Sequence, residues 1–169
     1  MGVSGAGKST VGNMLALELG FTFCDADSLH PPANVERMAS GHPLGDTDRW
    51  PWLETVGRTL ADSRQAHRGT VMACSALKHS YRDALREQVP DVFFVFLDGP
   101  MSIVHKRINS RHHEFMPATL LASQYASLEP LSEAERGIRI DIKETPARIV
   151  SAIRNALGTA AMPHALRDS

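Results

Sequence analysis

The first ten residues, Met1-Gly2-Val3-Ser4-Gly5-Ala6-Gly7-Lys8-Ser9-Thr10, contain the pattern G-x-x-x-x-G-K-S. A run of this kind suits one chemistry. Its glycines let successive backbone N–H groups turn inward around an anion, and its lysine adds a fixed positive charge. Gly2, Val3, Ser4, Gly5, Ala6, Gly7 and Thr10 are therefore expected to cradle a polyphosphate. Lys8 is expected on the β- and γ-phosphates, and the Ser9 hydroxyl on Mg²⁺. Val11, Met14, Leu15 and Leu19 follow at helical spacing, so the loop opens a helix whose amino end also faces the anion.

Phosphoryl transfer also needs a metal held against the moving group and an acceptor hydroxyl aimed in line. Asp25 and Asp27, one residue apart at the end of a short apolar run, can meet both needs. Asp25 would hold the Mg²⁺ shell and Asp27 would accept the proton of the acceptor; the alternative is a solvated turn or helix cap. Asp98, which closes Val92-Phe93-Phe94-Val95-Phe96-Leu97, competes for the metal role. That choice would make the chain a nucleotide-hydrolysing switch, but no Asn-Lys-x-Asp guanine-reading sequence accompanies it. Arg49 and Arg82 are candidates for an acidic substrate, because a guanidinium grips a carboxylate bidentately. Trp50 and Trp52 either wall that pocket or pack in the core. Arg107 and Arg111 flank a basic turn between two helices, which suits a lid closing over phosphates. His112 and His113 are adjacent and fit no metal spacing, so they read as lid surface.

The elements that must position these groups alternate. Strands are expected at Phe21 to Asp25, Thr70 to Cys74, Val92 to Leu97 and Ile138 to Ile142. Helices are expected from the phosphate loop to Gly20, from Pro31-Pro32 to Gly41, from Pro51 to Gly69, and around Tyr81 and Leu85 up to Pro90. Further helices carry Ile103 to Ile108, run onward from Pro117, and follow Thr145-Pro146. His42 to Trp50 reads as a polar connection, and Thr159 to Ser169 as a mobile tail. Alternation of this kind gives an α/β fold, a parallel sheet with helices on both faces, with ligands beyond the carboxyl ends of the strands.

Composition narrows the function classes. The 169 residues suffice for one domain with a sizeable core, and 43% apolar with 22% charged residues is ordinary for a globule. A net charge of −1 gives no electrostatic case for nucleic acid or an anionic membrane surface. No apolar run is long enough for a bilayer, and no secretion-signal pattern opens the sequence, so a cytoplasmic location is expected. Cys24 and Cys74 read as reduced core thiols.

Taken together, these stretches resemble the gluconokinase family, P-loop small-molecule kinases related to shikimate and adenylate kinases. The resemblance rests on residues 1 to 10, Asp25-Ala26-Asp27-Ser28-Leu29-His30-Pro31, Asn34, Met38 and Gly41-His42-Pro43-Leu44. It continues through Asp46-Thr47-Asp48-Arg49-Trp50-Pro51-Trp52-Leu53, Ala73-Cys74-Ser75-Ala76-Leu77-Lys78 and Tyr81-Arg82-Asp83. Phe115-Met116-Pro117, Leu120-Leu121, Ser123-Gln124 and Leu128-Glu129-Pro130 complete it.

The resemblance implies a nucleoside-monophosphate-kinase-like P-loop NTPase fold over residues 1–158, with a lid at about 107–130. It also implies ATP and Mg²⁺ as cofactors and D-gluconate as the substrate phosphorylated at its 6-hydroxyl. By similarity, Lys8, Asp27 and Arg111 are catalytic, and Ser9 and Asp25 hold the metal. Arg107 joins the phosphate loop at the nucleotide, and Asp27, His30, Arg49, Lys78 and Arg82 lie at the substrate. A kinase for another small acidic metabolite, or a nucleotide-binding protein without turnover, are the alternatives, and a homodimer is one open assembly state. Two departures stand out. Glu114 occupies the place of an expected His, and the apolar strand that precedes the loop in relatives is missing, so the functional chain is expected to start upstream of Met1.

Overall fold

The computed structural model describes residues 1–110 and 118–160. Helix α1 (Lys8–Leu19) leaves the phosphate loop and ends at Gly20, whose left-handed backbone returns its N–H to the last turn. Strand β1 (Thr22–Asp25) runs into a short 3-10 turn, Ala26–Leu29, and helix α2 (Pro32–Ala39) follows. Then come α3 (Asp46–Gln65), β2 (Thr70–Ala73), α4 (His79–Gln88), β3 (Phe94–Asp98) and α5 (Met101–Asn109). Helix α6 (Ala118–Ser127), β4 (Gly137–Asp141) and α7 (Pro146–Ala160) complete the described chain. Thr145 caps α7 through a bond from the Arg148 amide, and the helix includes Thr159 and Ala160, which sequence analysis places in a tail.

One boundary differs more. Helix α3 starts at Asp46, five residues before Pro51, so most of the expected polar connection is helical. The reason is electrostatic. Asp46 and Asp48 lie in the first turn, where a carboxylate favours the positive helix end, and Asp48 Oδ2 accepts from the Gly45 amide at 2.9 Å. Pro51 then falls in the second turn, where it removes one backbone hydrogen bond without ending the helix.

The four strands among the described residues pair in parallel. β1 aligns with β2 so that Asp25 faces Ala73, and β3 aligns with β4 so that Asp98 faces Asp141. Among the described residues β2 and β3 share no ladder. Met1 and Gly2 lie between the two pairs. The Met1 nitrogen donates to Val95 O, the Leu97 amide donates to Met1 O at 3.0 Å, and the Gly2 amide donates to Ser75 O at 3.1 Å. Beside them is a cavity of about 460 Å³, lined in part by Leu15, Val71, Met72, Phe94, Val95 and Ile153.

Two apolar cores hold the helices to the strands. Val11, Leu15, Val104, Ile108, Ile140 and Ile153 form one, joining α1, α5 and α7 to β4. Trp52, Leu53, Val56, Tyr81, Leu85 and Phe94 form the other, joining α3 and α4 to β3. Cys24 and Cys74 are free thiols, and burial raises the pKa of both. No helix among the described residues is long and apolar enough to cross a membrane.

The phosphate loop is held by close approach. Gly5 has φ 77°, and a β-carbon there would stand 2.7 Å from Ile108 Cγ1. Gly5→Ala is therefore expected to cost about 1–3 kcal/mol in urea unfolding, from overpacking and left-handed strain together, and to weaken nucleotide binding. A variant as stable as the parent would contradict this packing.

His30 offers a second check. It stacks on Trp52 at 4.3 Å and accepts at 3.4 Å from Asn34 Nδ2, which also donates to Asp48 O. Burial, and then the Arg49 charge, lower its pKa from 6.5 to about 4. Between those values the unfolded chain binds a proton that the folded chain excludes. Stability from this group is complete above pH 6.5 and falls as pH drops towards 4, by up to roughly 3 kcal/mol. Unfolding of the parent and of His30→Gln, compared across this window, should show a shallower slope for the variant; equal slopes would refute the assignment.

Candidate active site

Parallel pairing sets the end of β1 beside that of β2, and the start of the phosphate loop joins them to the end of β3, with the Gly2 amide on Ser75 O and the Leu97 amide on Met1 O. Gly7, with φ 104°, precedes α1, and no side chain caps that helix. Lys8 Nζ donates to Val3 O at 3.1 Å, across its own loop. Arg107 reaches the same loop from α5, donating through Nη1 to Ala6 O at 3.2 Å and through Nη2 to Ile142 O at 2.5 Å. It thus stands beside the phosphate loop. Arg111, with Glu114, the adjacent histidines 112 and 113, and Phe115-Met116-Pro117, lies outside the described residues.

The acidic pair meets the loop directly. Ser9 Oγ donates to Asp25 Oδ2 at 2.8 Å, although sixteen positions separate them. The other oxygen of Asp25 accepts from the Asp27 amide at 3.1 Å, so the 3-10 turn fixes both carboxylates at the strand end. A hydroxyl and a carboxylate oxygen at this distance fit Mg²⁺, which keeps several waters and takes further oxygens from substrate phosphates. No cluster of three or more His, Cys, Asp or Glu side chains that could hold a metal occurs among the described residues. Asp98, the competing carboxylate, faces elsewhere, with Oδ2 accepting from Arg139 Nε at 2.7 Å on the neighbouring strand.

A second polar group gathers around the start of α3. Lys78 Nζ donates to both oxygens of Asp46, at 2.6 and 2.8 Å, and Tyr81 Oη donates to Asp46 Oδ1 at 2.5 Å. The Lys78 hydrogen bond, then that of Tyr81, holds the Asp46 carboxyl below its ordinary pKa. Burial, then the Asp46 acceptor, drives the Tyr81 hydroxyl upward. Trp50, 42% exposed, meets Tyr81 edge to face at 5.4 Å, whereas Trp52 is fully buried and donates to Ala26 O. Arg49 is half-buried, and its Nε donates to Leu44 O at 3.3 Å. Asp46 was not singled out from sequence, since an acid in a polar stretch gives no sign of its partners.

One expectation needs correction. Arg82 is not available to an acidic substrate: it is 0% exposed, and all three of its guanidinium nitrogens are bonded inside the protein. Its ion partner, Glu135, is 53 positions away and carries no sequence signal. His30 is 9% exposed, its ring stacked on Trp52. Gln124 and Glu129, quoted above only as part of a resemblance, also have contacts here. Gln124 Oε1 accepts from the Ser4 amide at 2.7 Å, and the Glu129 carboxylate accepts from the His79 amide.

Comparisons with known proteins show the family. The family model described as shikimate kinase matches residues 4–157. The gluconokinase of Gluconobacter oxydans (strain 621H) is 46% identical, covering 86% of this chain and 82% of that protein. Among solved structures, an unliganded sugar kinase from Janibacter sp. HTCC2649 superposes with a TM-score of 0.90 at 43% identity, covering 95% of this chain and 92% of its own. A gluconokinase from Sinorhizobium meliloti 1021 gives 0.87 at 43% identity, with 95% and 90% covered. A P-loop that meets an aspartate pair on a parallel sheet, together with these matches over most of the chain, places this protein in the gluconokinase family of P-loop kinases.

Proposed function

We propose that the chain transfers the γ-phosphoryl group of ATP to the 6-hydroxyl of D-gluconate, giving 6-phospho-D-gluconate and ADP in the cytoplasm. The observation that carries this reading is the Ser9–Asp25 contact, which joins the phosphate loop to the acidic pair. The gluconokinase relatives supply the acceptor.

The loop amides and Lys8 bind the β- and γ-phosphates, and Arg107 lies against the same loop. Ser9 and Asp25 would hold Mg²⁺, which neutralises charge on the phosphates when bound. Asp27 takes the proton from the gluconate 6-hydroxyl as that oxygen bonds to the γ-phosphorus and the bond to the ADP oxygen breaks. Arg49 and Lys78 receive the gluconate carboxylate at the other end of the acceptor, with Trp50 and Tyr81 as a wall. In that step Lys78 exchanges Asp46 for the substrate.

ADP release measured across a panel of gluconate, other sugar acids and shikimate tests the assignment. Turnover selective for gluconate is expected; preference for another acceptor, or ATP binding without turnover, would overturn it. Asp27→Asn should lower kcat roughly 10²- to 10⁴-fold while leaving ATP affinity near that of the parent. Full activity in that variant would remove Asp27 from the proton-accepting role.

A further inference from the structure

The segment between β2 and α4 carries Lys78, and its main chain is unusual. Ala76 is 1% exposed and has φ 40°, a left-handed conformation that a residue with a β-carbon holds only when its surroundings impose it. The surroundings here are the Arg82 guanidinium. Its Nη1 donates to Ala76 O and Leu77 O, both at 3.2 Å, and to Glu129 O at 3.1 Å. Nη2 donates to Pro130 O at 3.1 Å and to Glu135 Oε2 at 3.0 Å, and Nε donates to Glu135 Oε1 at 2.5 Å. Glu135 is anchored in turn by the Ser132 amide and hydroxyl, at 2.9 and 3.2 Å.

The two sides of this clamp are also joined by backbone. The Glu129 amide donates to Leu77 O at 2.9 Å, and the His79 amide donates to the Glu129 carboxylate. Glu129 follows α6, which touches the phosphate loop through Gln124 and the end of β3 through the Tyr125 hydroxyl on Gly99 O. One buried cation therefore fixes the Lys78 segment to the residues beyond α6.

We propose that Arg82 and Glu135 are positioning residues for the acceptor site, holding Ala76 in its left-handed conformation and so aiming Lys78 across the site at Asp46. This rests on the reading of Lys78 and Arg49 as the gluconate end of the site. A buried ion pair replaced by apolar residues of similar volume often leaves stability intact, whereas removal of one partner strands a charge. The informative variant is accordingly Arg82→Met with Glu135→Leu, assayed with gluconate and ATP beside the parent. A folded double variant should show a roughly 10- to 100-fold rise in gluconate KM, with ATP KM within about threefold of the parent. A purely structural pair would lower the folded fraction and leave both KM values unchanged in the molecules that fold, and that result would overturn the proposal.

Hydrogen exchange on the parent enzyme keeps the test decisive if the double variant does not fold. Gluconate alone should protect amides 77–79 together with those of 129 and 131–135, and protection confined to 77–79 would overturn the clamp. No gluconate turnover or binding by the parent would overturn the acceptor assignment, and this inference with it. Unchanged gluconate KM in an active, folded double variant would overturn the positioning role alone.

Discussion

The site depends on how closely a glycine-rich loop can approach the strands and helix behind it. Gly2, at φ 137°, leaves room for Leu97 O, which a β-carbon would meet at 2.7 Å, and Gly5 lies equally close to Ile108. That proximity seats the loop at the ends of β2 and β3, where Gly2 bonds to Ser75 and Met1 to β3. With the loop in place, α1 projects Ser9 onto Asp25, and nucleotide and acid chemistry share one rim. Larger residues at these glycines would push the loop away from the sheet and separate the two.

Charge around the rim is arranged in satisfied pairs. Asp46 holds Lys78, Asp98 holds Arg139, and Arg82 holds Glu135. The pairs differ in exposure, and this sorts their functions. Asp46 and Lys78 are partly solvated and can exchange partners at modest cost. The Arg82 and Glu135 side chains are 0% exposed; burial pushes the Glu135 pKa up, but the Arg82 hydrogen bond and the Ser132 amide outweigh it and bring the value to about 2. A pair so deeply desolvated does not trade partners, and it serves as a fixed point for the chain around it.

Local signals carried much of the fold. Helix and strand positions follow from apolar spacing and from Gly and Pro punctuation, with errors where two local rules compete. At α3, Pro51 argues for a start that the acidic residues Asp46 and Asp48 set five positions earlier. At α7 the weak periodicity after Gly158 concealed a helix that continues to Ala160.

By itself the sequence determined the phosphate loop, the adjacent acidic pair and the parallel α/β order, because each is written in neighbouring residues whose backbone preferences are local. Only tertiary structure decided which charged groups face the site. Arg49 and Arg82 look alike as residues, yet one is half-buried at the rim and the other closes on Glu135 across 53 positions. Burial and long-range pairing depend on how helices pack over the strands, and no short window of sequence contains that information.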